Sequence, residues 1–201
     1  MARQYRMRKR AEVRDRTRER IVQATMELHD VHGVATTTYS DIAERAGVGP
    51  ATVYRHFPEM GDLVRACGAH VWEETKPPRA ETAAAVFSGL DTTPARLRRL
   101  FEELDAFYAR GAHRLDFASR DRHRVPELDA FLKAVESGVE ALAREALRFE
   151  DPADEIFRLA LALSDFYVWV PLCRLDLPRP ERVRLWTRLL ECGMSSARSR
   201  V

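Results

Sequence analysis

Little in this chain suits a disulfide scaffold, a membrane anchor or a sheet. Its three cysteines, Cys67, Cys173 and Cys192, are odd in number and far apart. They lack Cys-x-x-Cys or His-containing spacing, so neither a disulfide framework nor a zinc site is indicated, and a reducing, cytoplasmic setting fits. No apolar run approaches the roughly twenty residues of a membrane span, and no apolar segment follows the basic start as it does in a secretory signal. Period-two alternation bounded by turn residues is almost missing, which removes the pattern of half-buried strands. There is no internal repeat and no low-complexity tract.

What is present is enough apolar material, 45% of 201 residues, to bury a real core. Formal charge is near balance at +2, but it is unevenly spread: residues 1–57 carry eleven Lys and Arg against seven Asp and Glu. The excess lies in the first twenty residues, where Arg3, Arg6, Arg8, Lys9, Arg10, Arg14, Arg16, Arg18 and Arg20 face only Glu12, Asp15 and Glu19. Residues 1–15 therefore read as a basic, anion-seeking arm, with a solvated helical face or a plain tail as the alternative.

Apolar residues recur at three- and four-residue steps nearly throughout, so the chain is expected to be all-α. Breakers at Gly33, Gly47, Pro58, Lys76-Pro77-Pro78, Thr93-Pro94, Pro126, Pro152 and Pro178-Arg179-Pro180 divide it into about nine or ten helices. Only Phe166 to Val170 looks strand-like, and it lies inside a helical pattern that begins near Ala153.

The most informative stretch is near the front. A first helix, roughly Thr17 to His32, aligns Ile21, Ala24, Thr25, Leu28 and Val31 on one side, and Gly33 ends it. Thr38 can cap the next helix while Asp41, three residues on, answers back, so helix two runs from Tyr39 to about Ala46 with Ile42 and Ala43 facing inward. Gly47 supplies the turn and Val48 plugs the corner. Gly49 stands at the cap and Pro50 at the first helical position, where its missing amide hydrogen costs nothing. Helix three then runs from Pro50 to Phe57, burying Val53 and Phe57 and turning Ala51, Thr52, Tyr54, Arg55 and His56 outward. Two short helices about a glycine turn are the geometry that lays the second into a DNA major groove.

The run Thr-Tyr-Ser-Asp-Ile-Ala-Glu-Arg-Ala-Gly-Val-Gly-Pro-Ala-Thr-Val-Tyr-Arg-His-Phe at 38–57, with Ala24, Leu28 and Gly33 before it, resembles the DNA-binding region of the tetracycline-repressor (TetR) family. The resemblance implies phosphate contacts from Tyr54 and His56, a phosphate or base contact from Thr52, and a backbone contact from Thr38. It implies base reading by Pro50, Ala51 and Thr52, with Ser40 nearby and Arg55 on the same outward row. The chain departs from the family pattern at His29, often Phe; at Gly49, often Ser; and at Met60-Gly61, where the family carries Lys and an acid. The lost lysine is a lost phosphate contact, which the arm can replace by entering the minor groove or by tracking phosphates. His29 reads as a satisfied core histidine.

Beyond residue 60 the resemblance covers architecture alone. It implies a small-molecule effector of unknown class held among the middle helices, and a homodimer joined through the last two. The apolar residues between Ile156 and Val170 wrap nearly all round, and the helix from Glu181 to about Met194 has one apolar side with Val183, Trp186, Leu189, Leu190 and Gly193. That suits a dimer seam or simple burial within one chain. Candidate pocket residues are Trp72, Phe101, Phe107, Tyr108, Phe117, Phe131, Tyr167 and Trp169, with Asp105, His113, Asp165 and Arg120 as polar fixers.

The sequence thus divides into an arm (1–15), a helix-turn-helix domain (16–60) and a helical ligand-binding and dimerisation domain (61–201). The expected function is a DNA-binding transcriptional regulator, a repressor released from its double-stranded operator by a ligand. The alternatives are a dimeric helix-turn-helix protein without a sensor, and an all-helical enzyme. For the enzyme the signals are missing: no Glu-x-x-His, no glycine-rich phosphate loop and no nucleophile–base spacing occur, and no cofactor, metal or membrane is expected.

Overall fold

In the computed structural model, which describes residues 2–149 and 154–198, every regular element is helical. Ten α-helices follow one another: α1 (Ala2–His32), α2 (Tyr39–Ala46), α3 (Pro50–His56), α4 (Met60–Thr75), α5 (Ala83–Val86), α6 (Thr93–Asp121), α7 (Pro126–Ala146), α8 (Asp154–Leu163), α9 (Phe166–Cys173) and α10 (Arg179–Arg198). A short 3-10 turn, Ala80–Thr82, precedes α5. Pro152 and Ala153, the expected break and helix start, lie outside the described residues, as does the side chain of Arg3. No single helix among the described residues is long and apolar enough to cross a membrane.

The chain forms two compact units, one of residues 1–73 with 116–132, the other of 74–115 with 133–201. The first unit thus takes in most of α4 and the α6–α7 turn along with the helix-turn-helix. Its core is Ile21, Val22, Ala24 and Met26 of α1, Ile42, Ala43 and Ala46 of α2, Val53 and Phe57, and Leu63 and Cys67 of α4. Leu28 is half-buried, but Val31, expected inside, is 67% exposed, because the last turn of α1 runs past the end of this core.

Helix α1 is longer than the sequence suggested. Nothing between Ala2 and Gly33 breaks a helix, and Arg, Glu, Gln, Ala and Met all favour one. Thr17, read as its start, instead folds its hydroxyl back onto the Val13 carbonyl, 2.9 Å away, inside the continuous helix.

In the second unit the expected helix through Phe166 to Val170 is two helices, α8 and α9, bent by 52°. The break at Ser164-Asp165 is stabilised from both sides. Asp165 caps α9 by accepting from the Tyr167 amide at 2.7 Å, while the Leu163 and Ser164 carbonyls accept from the Trp186 indole at 2.7 Å and the Tyr108 hydroxyl at 2.5 Å. Backbone groups freed by a bend must find partners, and these two aromatic side chains supply them. Helix α10 begins earlier and ends later than expected; Gly193 on it leaves room for Leu159 of α8, whose side chain would collide with any Cβ there. Likewise Gly138 on α7 faces the Pro78 carbonyl so closely that a Cβ would overlap the backbone.

One buried carboxylate organises this unit. Asp105 on α6 is fully buried and accepts from the Trp169 indole at 2.9 Å, from Arg182 at 2.9 Å and from Arg179 at 2.7 Å. Removing one member of a buried charged set leaves the others uncompensated. Asp105→Ala is therefore expected to cost about 3–5 kcal/mol, read by urea or thermal unfolding. Asp105→Asn, which keeps an acceptor for Trp169, is expected to cost less; equal losses would show that the charge is immaterial.

Candidate nucleic-acid interface

The geometry of the helix-turn-helix follows from a few local rules. Thr38 caps α2: its hydroxyl accepts from the Asp41 amide at 3.3 Å, and the Asp41 carboxylate accepts from the Thr38 amide at 3.0 Å. The Thr38 hydroxyl also lies 2.7 Å from the Asp41 carboxylate, and this side-chain bond, followed by the one from the Thr38 amide, holds the Asp41 carboxyl below its usual range. Gly47 ends α2 in the left-handed region at φ 61°, where L side chains are strained, although open space surrounds the position. The requirement there is conformational and not steric. Gly49 and Pro50 then start α3 as expected, with the Thr52 amide donating to the Gly49 carbonyl at 2.8 Å.

Val53 and Phe57 are fully buried, so the opposite side of α3 faces outward. Pro50, Ala51 and Arg55 are exposed, Tyr54 is 52% exposed, and Thr52 and His56 are half-buried. Thr38 and Ser40, at the start of α2, are exposed as well. Every residue singled out in this region is thus accessible to a ligand.

Two supports of this surface escaped the sequence reading. The ring of Tyr39 stacks on Tyr54 with centroids 4.2 Å apart and planes 17° apart, and its hydroxyl donates to the Phe57 carbonyl at 3.1 Å. Arg18 of α1 lays its guanidinium over the Phe57 ring, 4.1 Å from the centroid, and donates to the His56 carbonyl at 3.2 Å. The carbonyl end of α3 is therefore tied to α1 and α2 by a cation and a phenol. Fifteen residues separate Tyr39 from Tyr54, and thirty-eight separate Arg18 from His56, so no local period reveals either pair. Burial depresses the His56 imidazole below its ordinary value, and the positive charges of Arg18, Arg14 and Arg55 add to the effect. One end of α3 therefore lies in a positive field that includes α1.

The loop leading to Thr38 is held from α6. The Asp121 carboxylate accepts from the Val34 and Ala35 amides at 2.9 and 2.8 Å, and Gly33, at φ 83°, lies against Asp121 and the Phe117 ring. At the start of α4, Glu127 of α7 occupies the space a Cβ on Gly61 would need and pairs with Arg65 at 2.9 Å. Any side chain at position 61 would require the Glu127 carboxylate to swing aside.

The pocket candidates separate. Phe117, Phe131 and Trp72 belong to the first unit, where Phe131 meets Trp72 edge-on with centroids 5.5 Å apart. Phe101, Phe107, Tyr108, Tyr167 and Trp169 belong to the second. There Phe101 packs on Trp186 at 4.5 Å, Tyr108 and Trp169 are engaged by Ser164 and Asp105, and Tyr167 is 51% exposed. Of the polar candidates, Asp105 and Asp165 serve the packing just described, Arg120 pairs with Asp116 at 2.5 Å, and His113 is exposed.

Known proteins fit this geometry. Residues 21–67 match the family model of bacterial regulatory proteins of the tetR family, a stretch that runs from the α1 core residues through α3 into α4. That stretch, about a quarter of the chain, is similar to the DNA-binding region of tetR-family regulators. The chain is 47% identical over 58 residues to the HTH-type transcriptional repressor LfrR of Mycolicibacterium smegmatis, a match spanning 29% of this chain and 30% of that one. It is 26% identical over 187 residues, 90% of this chain and 96% of the other, to the uncharacterized HTH-type transcriptional regulator Rv2912c of Mycobacterium tuberculosis. Among solved structures, the multidrug binding protein EbrR complexed with imidazole shares the fold at a TM-score of 0.56 and 22% identity, covering 86% of this chain and 88% of that one. The matched stretch contains α2 and α3 whole.

His29 departs from expectation. Its Nε2 is buried without a hydrogen-bond partner, and burial, opposed by Asp30 and Asp121, lowers the imidazole from its ordinary 6.5 to about 4. The unfolded chain takes up a proton between those values that the folded chain refuses. Stability is therefore complete above pH 6.5 and falls as the pH drops toward 4, by on the order of 2–3 kcal/mol. His29→Phe is expected to remove that part of the pH dependence in denaturation curves; an unchanged profile would assign it to other groups.

Proposed function

We propose that this chain is a TetR-type transcriptional regulator, a cytoplasmic homodimeric repressor that reads a double-stranded operator through α3 and leaves it when a small molecule binds the helical second half. The observation that carries the DNA reading is the exposed row on α3, held at its base by Val53 and Phe57 and at its end by Arg18 and Tyr39. Tyr54 and His56 take phosphates. Thr38 meets the backbone beside α2, where the helix N-terminus favours an anion, and Ser40 lies near the base-reading residues. Pro50, Ala51 and Thr52 face base edges, and Arg55 adds charge. Pro50 and Ala51 offer only apolar contact, for instance to a thymine methyl, so groove shape carries a large share of specificity.

Repression is supported by LfrR, a repressor that is 47% identical over the matched 58 residues. Response to a small molecule is supported by EbrR, a multidrug binding protein of the same fold seen with imidazole. Dimerisation is supported by the exposed Tyr167, Leu175 and Leu189 on and beside α9 and α10, large apolar side chains that a second copy would cover. The middle-helix aromatics Phe101, Phe107 and Tyr108, with Trp72, Phe117, Phe131 and Trp169, are the side chains from which an effector site is to be sought.

Operators selected from a random duplex library and measured by fluorescence anisotropy test the DNA reading. Tyr54→Ala is expected to weaken selected and unselected duplexes alike, by about tenfold, as loss of a phosphate contact does. Thr52→Ala is expected to change the selected sequence more than the general affinity. A Tyr54→Ala protein that binds unselected duplex normally would take Tyr54 off the phosphates. In a thermal-shift screen, stabilisation that grows with ligand concentration marks an effector, whereas a flat screen favours a dimeric helix-turn-helix protein without a sensor.

A further inference from the structure

Residues 2–16 are the first turns of α1, continuous with the rest of that helix, and the charged residues from Arg6 onward are sorted by sign around it. At 3.6 residues per turn, Glu12, Asp15 and Glu19 fall within about 60° of one another around the helix. Arg8 lies on that acidic side and pairs with Glu12 at 3.3 Å. Arg16, Lys9, Arg20, Arg6, Arg10, Arg14 and Arg18 sweep the remaining side in that order, and Arg6, Arg10, Arg14 and Arg18 form an unbroken ladder at four-residue steps. Arg14 also lies 3.7 Å from its neighbour Asp15, but both are largely exposed, and such a pair contributes little.

The lower end of the ladder is anchored, since Arg18 is the residue seated on the Phe57 ring and the His56 carbonyl, and Arg14 joins it in the field at His56. The ladder is therefore continuous with the outward end of α3. Its apolar side chains do not form a stripe: the exposed Tyr5, Met7 and Val13 point in three different directions around the helix. Without a stripe the extension has nothing to pack into a protein groove or against a second helix. Its complement is a polyanion.

We infer that the Arg6–Arg10–Arg14 face of α1 is a second DNA contact, a helical rail that lies along the phosphates flanking the half-site read by α3. The inference rests on the DNA reading of α3. A helix with side chains is about 10–12 Å across, whereas the minor groove is about 6 Å wide. A helical extension is thereby kept out of the minor groove, and of the two routes open to a basic arm only the phosphate track remains. Residues 2–16 span roughly 22 Å at 1.5 Å per residue, so the rail lengthens the contact by several base pairs and supplies phosphate contacts that Met60-Gly61 cannot.

The test uses the full chain and a fluorescein-labelled duplex of arbitrary sequence, about three helical turns long, titrated between about 50 and 200 mM salt. In the wild type, log K falls linearly with log salt. The triple variant R6A/R10A/R14A is expected to lower that slope by about 2–3 for each engaged protomer, at about 0.9 per phosphate lost. Arg8→Ala, on the acidic side, is expected to leave it unchanged. Val13→Pro breaks the helix while keeping every charge, and is expected to lose slope like the triple variant. A triple variant with the wild-type slope, an equal loss from Arg8→Ala and Arg10→Ala, or a Val13→Pro protein with the full slope would each overturn the rail and leave the α3 reading standing. A wild-type protein that ignores duplex DNA at the lowest salt would remove the reading on which the rail rests.

Discussion

A seven-residue helix cannot hold itself together in water, and everything α3 does depends on the burial of Val53 and Phe57. Isolated helices below about 12–15 residues are marginal, because the cost of nucleation is recovered only over several turns. In α3 the deficit is offset by packing: both side chains are fully excluded from water against Ile21, Ile42 and Leu63, each contributing about 1.5–3 kcal/mol. The carbonyls at its end would otherwise be unpaired, and Arg18 and Tyr39 accept that role. The residues that hold α3 in place are thus different from those it turns outward.

The same division of labour extends to the loop before α2. Its two amides are held by one carboxylate, Asp121, at the last residue of a twenty-nine-residue helix. Such a latch is short-range and directional, so a small displacement of the end of α6 removes two hydrogen bonds at once. His29 close by has no hydrogen-bond partner for its buried nitrogen, which makes this corner the least satisfied part of the first unit. At the other end of the helix-turn-helix, Glu127 and Arg65 tie α7 to the first turns of α4. Helices α2 and α3 are therefore bracketed by polar ties to α6 and α7, whereas their interior is held by apolar packing.

How much of this could be read from the sequence follows from the range of each interaction. The capping box at Thr38 and Asp41, the left-handed glycine at 47 and the proline start of α3 involve residues within a turn of one another, and all stood out. The length of α1 was underestimated because Thr17 offers a cap that a continuous helix does not use. The bend at Ser164-Asp165 was missed because its cause lies elsewhere: the Trp186 indole and the Tyr108 hydroxyl are distant in sequence and make the break affordable. Asp105 looked like a ligand group for the same reason. Its three donors come from α9 and α10, and nothing near Asp105 in the sequence points to them.

Gly138 carries a mechanical consequence. The Pro78 carbonyl rests where its missing methyl would be, so α7 meets the segment after α4 like a key cut for one notch. A slide of α7 by one turn, about 5.4 Å, would bring Ala134, Val135, Ala141 or Leu142 opposite that carbonyl, and each of them has a Cβ. Ratcheting along the helix axis is thereby blocked, and whatever motion α7 undergoes within the second unit must be a pivot about this point.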